Sequence, residues 1–99
     1  MKDIDLHRSA TAEMIEAARF YERRRNGVGF RFLQRVEEVC QRIGECPDSG
    51  SPVGRRDRRR TVPGFPYNVV YRVEEQRVLV LAVMHHRRRP GYWVWRRYR

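Results

Sequence analysis

Lysine, cysteine and long hydrophobic runs are scarce in this chain of 99 residues. Lys2 is the only lysine, and the two cysteines, Cys40 and Cys46, have a spacing that fits neither a zinc site nor a redox pair. No stretch approaches the ~18 consecutive apolar residues of a membrane span, and the N-terminal residues contain no apolar signal sequence. These absences predict free thiols and a cytoplasmic protein without membrane association.

The sequence motifs of familiar enzyme classes are also missing. The chain has no glycine-rich phosphate loop, no nucleophile motif around a serine or cysteine, and no paired histidines or carboxylates at a metal-ligand spacing. His85 and His86 are adjacent, and neighbours on a strand point to opposite faces, so only one of them faces any given site. We therefore expect no bound metal and no cofactor.

Acidic residues are rare in the second half of the chain. Residues 1–50 hold nine basic and nine acidic side chains, whereas residues 51–99 hold thirteen arginines and only three acids, so the whole net charge of +10 lies there. Codon bias in a GC-rich genome explains arginine in place of lysine, but it does not explain the loss of acids. This asymmetry predicts an anionic partner, which is nucleic acid, an acidic protein or a membrane surface.

The length and the hydrophobic pattern predict one small α+β domain over residues 1–99. Alternation predicts a strand at 2–7, and three- and four-residue spacing predicts a helix at 9–25 with Ser9 as its N-cap. Asn26 and Gly27 break this helix, and a second apolar stripe then predicts another helix that ends at Gly44 and Pro47. The two helices are expected to form a hairpin.

The second half of the chain has the pattern of an antiparallel sheet. Proline, glycine and serine predict an exposed loop at 47–57, followed by an edge strand at 58–62. Residues 66–73 alternate as a half-buried strand does, and 77–84 are apolar on both faces, as a strand in the middle of a sheet is. The predicted order is strand, two-helix hairpin, then a three-stranded antiparallel sheet.

The residues after this last strand interleave arginines with aromatic rings over 84–99. Arginine neutralises phosphates and stacks on bases, and aromatic rings provide stacking platforms, so the combination suits nucleic acid. A metal-free nuclease with histidine as general acid or base is also compatible with it. Alternatively, Trp93 and Trp95 pack on the sheet while the arginines are solvated or pair with acidic residues of a partner protein.

At these residues the sequence resembles the RelE/ParE superfamily of toxins from type II toxin–antitoxin systems, most closely the ParE-like plasmid stabilisation branch. The resemblance covers nearly the whole chain and is most specific in two blocks. The first block contains Phe65, Pro66 and Tyr67 followed by Val70 and Tyr71, and the second runs from Ala82 and Val83 through His85, His86, Arg87, Arg88, Pro90, Gly91, Tyr92 and Trp93. Weaker similarity lies at His7, Ala10, Phe20, Tyr21, Glu22, Gly29, Phe32, Pro47, Gly50 and Pro52.

The resemblance implies a small cytoplasmic toxin that a cognate antitoxin neutralises in a hetero-oligomer. ParE-like toxins are associated with inhibition of DNA gyrase and growth arrest, without a known hydrolytic site. The antitoxin is expected to be acidic, with an amphipathic helix and an extended arm, because the toxin's second half is so basic. For a binding toxin, the expected target-binding residues are Arg87, Arg88, Arg89, Tyr92, Trp93, Trp95 and Arg96.

RelE-like toxins imply the alternative, a metal-independent endoribonuclease that cleaves mRNA on the ribosome. By this resemblance, Arg60, Arg72, His86 and Arg87 would form the catalytic site. The sequence departs from the nuclease pattern at one position, because Asn68 stands where the ribosomal nucleases tend to carry a catalytic arginine. This departure favours the binding toxin over the enzyme.

Overall fold

A computed structural model describes residues 1–96 of the chain. It contains two α-helices, one short 3₁₀ turn at Pro47–Ser49 and five β-strands. The elements in chain order are β1 (Asp3–Leu6), α1 (Arg8–Arg24), α2 (Val28–Glu45), β2 (Ser51–Val53), β3 (Asp57–Thr61), β4 (Tyr67–Val73) and β5 (Arg77–His85). The predicted α+β class and the predicted positions of both helices are confirmed within two or three residues at their ends.

The sheet has five strands in the order β1-β5-β4-β3-β2, so the prediction of a three-stranded sheet was wrong. β1 joins one edge by pairing parallel with β5, from Asp3 opposite Arg77 to Leu6 opposite Val80. β2 forms the other edge, within the segment predicted to be a loop, and β3 is therefore not an edge strand. The central residue of β2 is Pro52, which an edge strand tolerates because one side of its backbone needs no partner.

The first helix is capped by a residue other than the predicted one. Ser9 lies inside α1, and its backbone N–H donates to Nδ1 of the N-cap residue His7 at 3.0 Å. The hairpin then turns at Gly27, whose φ of 89° is in the left-handed region. The two helices pack so closely that a Cβ at Gly29 would overlap the carbonyl oxygen of Ala18, so glycine is required there.

The two helices cover one face of the sheet and enclose the main core. This core contains Phe32, Val36 and Ile43 from α2, packed against side chains of β4 and β5 that include Tyr71. The hydroxyl of Tyr71 donates to the carbonyl of Pro47 at 2.7 Å and accepts from the N–H of Gly50 at 2.9 Å. The segment that leaves α2 is thereby fixed to the sheet. None of the helices in residues 1–96 is long and apolar enough to cross a bilayer.

The opposite face of the sheet, called here the outer face, carries no helix. Its apolar residues include Val70, Leu79 and Met84, and Trp93 from beyond β5 packs on them. β5 is therefore buried on both faces, as its sequence predicted. A bulge leaves Leu81 without a partner on β4, because Val70 pairs with Ala82 and the next residue of β4 pairs with Val80.

Candidate functional site

Residues 86–96, called here the C-terminal segment, fold back across the outer face in a series of turns. The segment begins where the N–H of His86 donates to the carbonyl of Pro66 at 2.8 Å. It reverses direction at Gly91, whose φ of 91° only glycine adopts readily. The N–H of Arg96 then donates to the carbonyl of Trp93 at 2.9 Å. The first bond ties the start of the segment to the residue before β4, and the second closes a turn within the segment.

Trp93 anchors the segment through a buried polar cluster. The indole Nε1 donates to Oδ2 of Asp57 at 2.9 Å, and Nε of Arg72 donates to Oδ1 of the same carboxylate at 2.8 Å. Asp57 is only 6% exposed and Trp93 only 2%. A buried carboxylate needs such partners, because an isolated charge in the interior is costly. The cluster therefore joins β3, β4 and the C-terminal segment.

Glu13 of α1 forms a second anchor at the end of the segment. Its carboxylate accepts from the hydroxyl of Tyr92 at 2.8 Å and from both terminal nitrogens of Arg96 at 2.9 and 3.1 Å. It also accepts from the backbone N–H of Val83 at 3.1 Å, while Arg96 donates to the carbonyl of Leu81 at 3.0 Å. The side chains of Glu13 and Arg96 thus provide hydrogen-bond partners for the backbone of β5 where it extends beyond its pairing with β1.

The environment of Tyr92 keeps its hydroxyl protonated. Burial, followed by the hydrogen bond to Glu13, raises the pKa of Tyr92 far above its usual value. The guanidinium groups of Arg88 and Arg96 lie 3.9 and 4.9 Å from the centre of its ring. The ring is therefore already engaged with two cations and is not a free stacking platform.

The predicted target-binding residues consequently fall into two groups. Trp93 is buried, and Tyr92 and Arg96 are half-buried and engaged with Glu13. The exposed members are Arg87, Arg88, Arg89 and Trp95, and Trp95 is 81% exposed. Residues 97–99, which end the arginine- and aromatic-rich run at 84–99, lie outside the described residues. Only the exposed group can contact a partner while the segment keeps this conformation.

The predicted nuclease residues are only partly brought together. Arg60, Asn68 and His86 line one hollow of about 580 Å³, together with serine and threonine hydroxyls and Met84 of the outer face. Arg60 is oriented by a hydrogen bond from Nη1 to Oγ of Ser49 at 2.6 Å. The buried Asn68 accepts from the hydroxyl of Thr61 at 3.1 Å. The hollow is polar, but it contains no carboxylate among its described lining residues.

Arg72 lies outside this hollow because it is four residues beyond Asn68 on β4, a separation of about 13 Å. It lines a neighbouring hollow of about 470 Å³, which the β2–β3 turn forms with the C-terminal segment. Its guanidinium is bound to Asp57 there, with 14% of the side chain exposed. Arg87 is exposed and lines neither hollow. The four residues therefore do not form a single constellation in this conformation.

Sequence analysis did not identify Glu13 or Asp57, the two carboxylates that hold the C-terminal segment. Asp57 had a weak signal, because it is the one acid within the arginine cluster at 55–60. Glu13 had none, because it is one of several acids along α1. Residues 1–96 contain no group of three histidine, cysteine or acidic side chains that could hold a metal ion, and Cys40 and Cys46 are both free.

Comparisons with known proteins agree with the fold. The family model described as the ParE toxin of type II toxin–antitoxin systems, parDE, matches residues 4–90. The chain belongs to the ParE toxin family. The solved structure of a chromosomal ParDE toxin–antitoxin system from P. aeruginosa has the same fold, with a TM-score of 0.76 at 16% identity, over 86% of this chain and 96% of that chain. No curated protein matches the sequence.

The ParE family match ends at Pro90, within the C-terminal segment. The residues that anchor the segment, Tyr92, Trp93 and Arg96, therefore lie beyond the matched range, although their partners Glu13, Asp57 and Leu81 lie within it. This ParE toxin thus completes its outer face with residues that lie beyond the range matched by the family model.

Proposed function

We propose that this ParE toxin acts in the cytoplasm, where it inhibits DNA gyrase by binding to it and thereby arrests cell growth. The observation that carries the proposal is the dispersal of the candidate catalytic residues. Arg72 is neutralised by Asp57, Asn68 supplies no positive charge, and only Arg60 and His86 line the same hollow. Cleavage of RNA without a metal needs positive charge and proton-transfer groups gathered around one phosphate. A surface that acts by binding has no such requirement.

The C-terminal segment is the proposed contact with the target. Its exposed side chains include Arg87, Arg89 and Trp95, and its buried ones fix the backbone to the sheet. Tryptophan and arginine are enriched among the residues that contribute most to binding at protein interfaces. A segment that is already ordered loses little conformational entropy when it binds. The proposal requires no cofactor.

We further propose an acidic antitoxin that binds through an amphipathic helix and an extended arm, in a hetero-oligomer. The helical hairpin exposes an apolar groove lined by Ile15, Phe30 and Leu33, and Phe30 is 75% exposed. Arg19 lines the same groove, and Arg23 and Arg31 are exposed on the same two helices. An amphipathic helix with acidic flanks complements this combination of apolar and basic side chains.

The test is a supercoiling assay with purified gyrase and the purified toxin, scored for lost supercoiling and for linear DNA trapped as a cleavage complex. We expect inhibition that the antitoxin reverses. The matched control is the Trp95→Ala variant, which removes an exposed ring without touching the anchors and is expected to inhibit less. An absence of inhibition at excess toxin would overturn the proposal.

A ribosome-dependent mRNA endoribonuclease is the second candidate. The observation in its favour is that Arg60 and His86 line one hollow with hydroxyl groups. Translation reactions with a defined mRNA would then yield fragments with wild-type toxin and none with His86→Ala. If the toxin yields mRNA fragments and leaves supercoiling by gyrase unchanged, the endoribonuclease replaces the gyrase inhibitor as the proposed function.

A further inference from the structure

The outer face and its rim carry arginines that have no partner among residues 1–96. Arg55 and Arg56 in the β2–β3 turn, Arg59 on β3, and Arg87 and Arg89 in the C-terminal segment are all exposed. Within residues 1–96, none of their guanidinium groups forms a hydrogen bond, an ion pair or a ring contact. Five unpaired cations on and around one face of the sheet create a positive potential that the described residues do not neutralise by pairing.

The carboxylates that hold the C-terminal segment are already neutralised. Asp57 is paired with Arg72, and Glu13 is paired with Arg96. Neither adds net negative charge that would repel an anion on the surface above it. The positive potential of the unpaired arginines is therefore not offset locally.

The two hollows on the outer face lie next to each other and are together called here the trough. Pro90 lines both of them, with Arg59 and Arg60 on one side and Arg55 and Arg56 on the other. β3, which runs along the trough from Asp57 to Thr61, is about 13 Å long. This length corresponds to about four steps of duplex DNA at 3.4 Å each. Hydroxyl groups of Ser49 and Ser51 line the same trough and can donate to phosphate oxygens.

The chemistry of the trough fits a nucleic acid better than an acidic protein. Protein interfaces need an apolar centre, and the large exposed apolar side chains of the C-terminal segment are only Val94 and Trp95, whereas Ile15, Phe20 and Phe30 lie on the helices. Single strands bind through stacking of successive bases on several free aromatic rings, but Trp95 is the one free ring among the described residues of the C-terminal segment, because Trp93 is buried and Tyr92 is covered by Arg88 and Arg96. A ligand whose bases are turned inward and whose phosphates are exposed matches these properties.

We propose that this trough binds the phosphate backbone of duplex DNA directly. The inference deepens the proposed function and rests on it for the source of the DNA, which is the segment that gyrase holds. Binding through phosphates is independent of base sequence, so the toxin would not select a site by its bases. Because of this contact, the toxin would bind gyrase–DNA complexes more tightly than gyrase alone.

The test is fluorescence anisotropy of a labelled 20-bp duplex with the full-length toxin over a series of salt concentrations. The variant R55Q/R56Q/R59Q removes three unpaired cations from the trough. The control R23Q/R25Q/R42Q removes the same charge from exposed positions on the helical hairpin. Each lost phosphate contact lowers the slope of log K against log salt by about 0.9, so the trough variant should lose about 2 to 3 of that slope.

We expect the trough variant to bind the duplex at least about tenfold more weakly, and the control to change by less than about threefold. Equal losses in the two variants would overturn the inference, as would tighter binding of single-stranded DNA or RNA, or of polyglutamate of matched charge. If a variant fails to fold, phenylglyoxal labelling of the wild-type toxin provides the same test. DNA should protect Arg55, Arg56 and Arg59 but leave Arg23 and Arg25 reactive.

The DNA measurement contains no gyrase, so it separates this inference from the proposed function. Duplex binding without inhibition of supercoiling would leave the trough as a DNA site and refute the gyrase proposal. Inhibition of supercoiling by a toxin that does not bind duplex DNA would do the reverse.

Discussion

Arg72 and Arg96 differ from the exposed arginines of the C-terminal segment because each is held by a carboxylate. Their side chains are 14% and 17% exposed, whereas Arg87 and Arg89 are solvent-exposed. Identical side chains thus serve two purposes, to fix the C-terminal segment and to present charge. Sequence reasoning treated these arginines as one basic segment, because composition does not show which cation has a carboxylate beside it.

Asp57 is the residue whose loss we expect to be most damaging to this arrangement. In Asp57→Ala, the guanidinium of Arg72 and the indole N–H of Trp93 both lose their buried partner. Breaking a buried ion pair from one side costs about 3–5 kcal/mol, and we expect the free energy of unfolding to fall by that amount. Urea unfolding followed by far-ultraviolet circular dichroism measures it.

Asp57→Asn is the matched control, because it keeps an acceptor for Trp93 while removing the charge. It should unfold at an intermediate urea concentration. A loss of less than about 1 kcal/mol in Asp57→Ala would show that the cluster is not a buried ion pair in solution.

His7 gives the protein a specific dependence on pH. Nδ1 of His7 accepts from the N–H of Ser9, so protonation of that nitrogen removes the N-cap of α1. Burial, followed by the charges of Arg96 and Arg8, lowers the pKa of His7, while Glu13 opposes the shift. A pKa lowered on folding gives a contribution to stability that is present above the unfolded value of 6.5 and is lost as the pH falls.

We therefore expect the free energy of unfolding to fall by about 1 kcal/mol from this residue between about pH 8 and pH 5, the usual value of an N-cap. His7→Asn keeps an acceptor that does not titrate and should remove this part of the dependence. Parallel urea titrations at the two pH values give the difference. Identical pH dependence in the variant and the wild type would exclude His7 as its source.

The elements of the fold differ in how far the sequence determines them. α1, α2, β4 and β5 were predicted because each has a long apolar pattern with the period of its structure. β2 was missed because it has three residues, one of them proline, and only its pairing with β3 makes it a strand. The parallel pairing of β1 was missed because a chain crossing over two helices leaves no local sequence signal.

The C-terminal segment has no pattern of its own, and Glu13 supplies much of its attachment. Glu13→Ala removes the acceptor of Tyr92, of Arg96 and of the Val83 amide. Hydrogen bonds to a charged group contribute about 1.5–3 kcal/mol each in favourable cases. We expect faster hydrogen exchange at Val83 and through residues 92–96, while α2 keeps its protection.

Glu16→Ala is the control for this prediction, because Glu16 lies on the same helix and is exposed. It should leave exchange at Val83 unchanged. Equal exchange at Val83 in Glu13→Ala and the wild type would mean that the segment is held by Trp93 alone.

At the scale of the whole molecule, the two sides of the sheet carry different chemistry. The helical side exposes Ile15 and Phe30 beside scattered arginines, and the outer face exposes unpaired arginines above neutralised acids. The charge asymmetry of the sequence predicted an anionic partner, and the family resemblance predicted an antitoxin. Neither indicated that the apolar and the basic surfaces lie on opposite sides of one sheet, because that depends on how the helices and the C-terminal segment pack.

Substitutions at exposed positions of the outer side test whether the toxin acts by binding or by catalysis. His86 is exposed, and the fold uses only its backbone N–H, so His86→Ala should leave the structure intact. A binding toxin should keep gyrase inhibition within about threefold and keep its toxicity in cells, because the variant removes none of the arginines from the surface. Arg87→Ala and Trp95→Ala, both at exposed positions, should each weaken inhibition more than His86→Ala does.

Trp93→Ala is unsuitable for this comparison, because Trp93 is buried and its removal would release the C-terminal segment. Dose–response curves for supercoiling, with antitoxin binding measured in parallel, rank the three variants. If His86→Ala abolishes toxicity while antitoxin binding is intact and the two surface variants remain toxic, His86 transfers a proton, and the hollow that it shares with Arg60 is a catalytic site.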